Sequence, residues 1–77
     1  MNVQDYILND NQFATISSSF DRYKGYTLWS VNVGGAGQFC PSCQFTPDFF
    51  SSPKASATRV ANALNSGLSY RDAIALA

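Results

Sequence analysis

Seventy-seven residues leave room for one domain and a single hydrophobic core. Hydrophobic residues make up 45% of the chain, with six Phe, four Tyr and one Trp, so the apolar mass for a core is present and disorder is excluded. Five basic and five acidic residues give a formal net charge of zero with no run of like charge, which supports neither a phosphate-binding polycation nor an acidic mimic of nucleic acid.

Only 13% of residues are charged, so the surface must be rich in Ser, Thr, Asn and Gln. No apolar run approaches a membrane span, and no basic segment followed by an apolar one opens the chain. The expectation is an intracellular, cytoplasmic protein that does not engage a membrane. Two cysteines are too few for a secreted disulfide scaffold.

In chain order, Asn2 is placed to cap a short N-terminal helix. Val3, Tyr6 and Ile7 fall at the spacing of one helical face, and Asn9-Asp10-Asn11 ends it. From Gln12 the period changes to two, with Ala14, Ile16, Ser18 and Phe20 on one face and Phe13, Thr15, Ser17 and Ser19 on the other. Residues 21–25 read as a hairpin loop in which Gly25 takes a positive φ. A strand over residues 26–33 turns Thr27, Trp29, Val31 and Val33 to the core. Gly34-Gly35-Ala36-Gly37 reads as the next turn. Residues 38–45 read as a third strand that Pro41 confines to an edge.

Ser52-Pro53 starts the longer helix, with a capping hydroxyl and proline at its first position. Ala57, Val60, Ala61 and Leu64 form its buried stripe, and Gly67 stands ready at C′. Ser69 and Asp72 have the spacing of a cap for a final short helix holding Ile74 and Leu76. The expected fold is α+β: a short N-terminal helix, a three-stranded antiparallel meander, one longer C-terminal helix packed on the sheet, and a short final helix. The expected core joins Trp29, Phe20, Phe39 and Phe45 to Ile16, Val31, Val60 and Leu64, with one of Phe49 and Phe50 closing its end.

Histidine and glutamate are both missing, so the usual acid/base pairs have no members, and no catalytic function or cofactor is expected. Gly34-Gly35-Ala36-Gly37 lacks the Lys-Ser/Thr and the following helix of a phosphate-binding loop. Cys40-Pro41-Ser42-Cys43 resembles the Cys-Pro-x-Cys of glutaredoxin-like proteins, but that motif opens a helix, and Gln44-Phe45-Thr46-Pro47 follows here. It also resembles one knuckle of a zinc ribbon. With no further Cys and no His, Cys40 and Cys43 would hold zinc only if two chains shared it. The reading adopted is a pair of structural thiols, with a shared metal or redox chemistry as alternatives.

In element order and in its alanine-rich last helix, the stretch 2–66 resembles a double-stranded-RNA-binding domain. The resemblance implies phosphate contacts from Lys54 and Arg59 at the start of that helix, where Pro53 and Thr58 stand in place of further bases. Against it stands a patch of the residue types favoured at binding hot spots: Arg22, Tyr23, Lys24 and Tyr26, with Phe49 or Phe50. The function expected from this is a small non-enzymatic protein–protein interaction module acting on a larger intracellular protein or complex, with homodimerisation left open. In size and lack of catalytic residues the chain resembles the short proteins with which phages inhibit host machinery, anti-CRISPR proteins among them. Nucleic-acid binding and a thiol or zinc module remain the alternatives.

Overall fold

The computed structural model describes residues 5–35 and 43–77. Three strands, β1 (Gln12–Asp21), β2 (Tyr26–Gly35) and β3 (Cys43–Phe45), are followed by α1 (Pro53–Asn65) and α2 (Tyr70–Ile74). The sheet is antiparallel in the order β1-β2-β3, so β1 lies at one edge and β3 at the other. With α1 on the sheet and α2 packed against α1, the arrangement is α+β.

The β1–β2 hairpin takes its register from the chemistry of its loop. Asp21 accepts the N–H groups of Tyr23 (2.9 Å) and Lys24 (3.1 Å) on its carboxylate. Its carbonyl accepts from Gly25 (2.8 Å), which sits at φ 75°. A side-chain carboxylate thus substitutes for backbone partners inside the turn, and only glycine occupies that positive φ without strain. Asp21 then faces Tyr26, and the pairing runs on to Gln12 opposite Gly35. Gly34 and Gly35 therefore complete β2 and do not begin a turn, because β1 is long enough to hold both in the ladder.

The expected N-terminal helix is not there in the described part. Tyr6, Ile7 and Leu8 alternate half-buried, exposed and half-buried, and Ile7 forms an isolated antiparallel bridge with Ser69. Tyr70 N–H donates to the Tyr6 carbonyl (2.8 Å). A helix so short returns few hydrogen bonds for the cost of nucleation, whereas an extended segment finds partners on the C-terminal hairpin of helices. Asn2 and Val3 lie outside the described residues, as do Phe39, Cys40 and Pro41 with the first part of the expected third strand.

α1 begins and ends where the sequence places it, by a partly different mechanism. Ser52 precedes it with φ −136° and ψ 80°, but its hydroxyl makes no capping bond. Its carbonyl accepts from Ser56 N–H (3.0 Å), and Pro53 needs no partner for a missing N–H. At the other end Gly67 stands at φ 105°, with Gly67 N–H donating to Leu64 and Leu68 N–H to Ala63, both at 3.1 Å. That pair of bonds is a Schellman motif, which satisfies two carbonyls the helix leaves open. Ser69 Oγ accepts from Asp72 N–H (3.3 Å) to start α2. Leu76 lies beyond the end of α2 and is exposed.

α1 packs on the sheet through Ala57, Val60, Ala61 and Leu64, all buried, against Ala14, Val31, Val33 and Phe45. Ala63 and Ala73 are buried in the same cluster, and α1 also packs against α2. Phe50 closes the core by meeting Phe45 edge to face at 4.9 Å between ring centroids. Trp29 is half-buried, with the Lys54 ammonium 5.3 Å from its ring centre. Phe20 departs from expectation: it is 62% exposed, because the buried residues of the sheet stop short of the hairpin tip.

Candidate interaction site at the hairpin end

Beyond Ile16 the hairpin runs out past the core. Residues 17–20 and 22–25 are all exposed. Tyr23, at the tip, is exposed over its whole surface. A shallow hollow of about 400 Å³ lies beside it, lined by Phe20, Arg22, Tyr23 and Leu28 among others.

A second segment reaches this end through Asp48. Residues 46–50 form a tight turn in which Thr46 carbonyl accepts from Phe49 (3.2 Å) and Phe50 (3.0 Å). Asp48 accepts the Tyr26 hydroxyl (2.8 Å) and lies 3.7 Å from Lys24 Nζ. Donation to a carboxylate, with some burial, raises the Tyr26 hydroxyl above the usual tyrosine pKa. The effect is to fasten the turn carrying Phe49 to the loop end of the hairpin. Phe49 is 84% exposed, while its neighbour Phe50 points into the core.

Of the six residues singled out from sequence, Arg22, Tyr23, Lys24 and Tyr26 thus lie on one hairpin end, and Phe49 is tied to it. Phe50 is not part of that surface. Asp48, which organises the arrangement, carries no local sign of doing so, since its partners stand more than twenty residues away. Arg22 is exposed and has no ionic partner among the described residues.

The cysteine motif is described only at Cys43. Its side chain shares the face of Val31 and Phe45 and packs against the core. Burial pushes its thiol pKa up, the opposite of an activated nucleophile, and a hydrogen bond from the Tyr70 hydroxyl offsets this in part. Tyr70 itself is pushed up to about 12, first by burial and then by Cys43. No cluster of metal-ligating side chains exists among the described residues, and Cys40 lies outside them.

The two bases that an RNA-binding resemblance would use are engaged elsewhere. Lys54 covers Trp29, and Arg59 Nε donates to the Leu76 carbonyl (2.8 Å) with Nη2 to Ser56 Oγ (3.3 Å). The described segment before β1 also lacks the helix that the resemblance requires. No protein family, curated protein or solved structure matches this chain.

Proposed function

We propose that this chain is a non-enzymatic protein–protein interaction module that meets a larger partner with its hairpin end. The observation that carries the reading is Tyr23, fully exposed on a loop whose backbone is already fixed by Asp21 and Gly25. An aromatic held in water by a rigid turn loses little conformational entropy on binding. Phe49 supplies a second apolar anchor, and Arg22 a donor able to meet a carboxylate. Lys24 already shares Asp48, so the surface presents little net charge. In a chain without histidine or glutamate, the form of action that suits such a surface is occlusion, as in the small phage inhibitors its profile resembles.

The test compares wild type with a Tyr23→Ala/Phe49→Ala variant as tagged bait in a bacterial lysate treated with nuclease and washed at high salt. The expected result is a protein captured by the wild type and lost from the variant, with circular dichroism and melting unchanged. Capture that disappears with nuclease or salt alone would move nucleic-acid binding ahead of this reading.

A further inference from the structure

The outer edge of β1 is treated unequally along its length. At Ala14 the side-chain amide of Asn65 acts as a substitute strand: its Oδ1 accepts from Ala14 N–H (2.7 Å) and its Nδ2 donates to the Ala14 carbonyl (3.0 Å). Gln12 N–H is taken by the Asn9 carbonyl (3.0 Å). Ala14 therefore turns its backbone groups away from β2. In an antiparallel pair that orientation recurs at every second residue, so Ile16, Ser18 and Phe20 also face outward. Their outward groups have no partner among the described residues. The usual defences of an exposed edge, a lysine, a proline or a bulge, are missing from Gln12 to Phe20.

From this edge we infer that a second copy of the chain pairs antiparallel with β1, about a two-fold axis at Ser18, to give a continuous six-stranded sheet. The register follows from what is already occupied. Moving the axis towards Gln12 would set Phe20 against Ala14, which Asn65 holds. Moving it the other way would bring Arg22, in the loop, against Ile16. Only pairing about Ser18 uses Ile16, Ser18 and Phe20 of both copies, as Ile16 opposite Phe20, Ser18 opposite Ser18, and Phe20 opposite Ile16.

The side chains suit that register. On the helix-bearing face, Phe20, 62% exposed in one chain, lies across from the half-buried Ile16 of the second copy, an aromatic–aliphatic cross-strand pair formed twice. On the other face Ser17 meets Ser19, small and uncharged on both sides. Asn65 holds α1 to β1 four residues from the axis, roughly 13 Å along the strand, so the two helices do not collide. In this register Arg22 of each copy comes level with Ala14 of the other, which Asn65 holds, so the pairing ends at Phe20, and the two hairpin tips stand roughly 35 Å apart at opposite ends.

Light scattering after size-exclusion chromatography, over a range up to millimolar protein, tests the pairing together with hydrogen exchange. The expected mass rises to twice that of one chain, and the Ile16, Ser18 and Phe20 amides slow in step with it. Ser18→Pro removes only an outward N–H and leaves the β1–β2 ladder whole, so it should give a folded monomer at every concentration. Ser18→Lys, which sets two ammonium groups face to face at the axis, should do the same and serves if the proline variant does not fold. A wild type that stays monomeric at millimolar concentration, or a dimer that persists in the folded variants, overturns the inference. Both variants change only Ser18, five residues from Tyr23, so capture of a partner through Tyr23 is read separately with the Tyr23→Ala/Phe49→Ala variant.

Discussion

Tyr70 and Cys43 show how burial sets the behaviour of two titrating groups, with the contact between them opposing it at Cys43 and adding to it at Tyr70. Both hold their protons more tightly in the folded chain than in water, Tyr70 at about 12 against an ordinary 10.0. A folded pKa above the unfolded one means that the unfolded chain loses its proton first as pH rises. Stability from Tyr70 is therefore whole below pH 10 and declines towards pH 12. Tyr70→Phe should melt at a temperature that falls less steeply than that of the wild type across this window, and in parallel with it below. Parallel curves throughout would mean that the half-buried Tyr70 hydroxyl makes no pH-dependent contribution to stability. The neighbouring phenylalanines teach the matching lesson about legibility. That one of Phe49 and Phe50 closes the core follows from the need to bury an aromatic pair; that it is Phe50 depends on the turn at Thr46, which composition does not specify.

Elements held by local rules were readable, and elements held by distant partners were not. The hairpin loop and the stripe of α1 follow from a few adjacent residues and stand where the pattern puts them; the alternation of β2 holds at Trp29, Val31 and Val33, but Thr27 is exposed near the tip and the strand runs on to Gly35. The N-terminal segment misled because Tyr6 and Ile7 fit a helical spacing that two or three residues cannot enforce; its strand-like state comes from Ser69 and Tyr70, more than sixty residues on. Asn65 belongs to the same class, reaching 51 residues back to Ala14. Asn65→Ala should lower unfolding free energy by about 1–2 kcal/mol in urea titration, since two hydrogen bonds to a buried backbone are lost and alanine's better helix propensity returns only part. An unchanged midpoint would mean that water replaces the amide at no cost.

On the scale of the whole molecule, the chain is divided lengthwise. Its longest dimension is 37 Å against 22 and 20 Å across, and every described residue buried in the core lies away from the hairpin tip. One end is therefore sheet covered by helix, with Val31, Val60 and Leu64 fully enclosed. The other is a two-stranded ribbon, a form that has little stability of its own without a packed face. Local opening of that ribbon breaks ladder bonds but exposes little new apolar surface, while opening the covered end costs the core. Hydrogen exchange at low protein concentration should separate the two. Ser19 and Leu28 amides, which face each other near the tip, should exchange through a local event that depends weakly on denaturant. Amides of Val60 and Leu64 should exchange only with global unfolding, at a denaturant dependence matching the equilibrium transition. If Ser19 and Leu28 were as protected as Leu64, the ribbon would be part of the cooperative core. The fixed presentation of Tyr23 would then come from global stability instead of from the turn at Asp21.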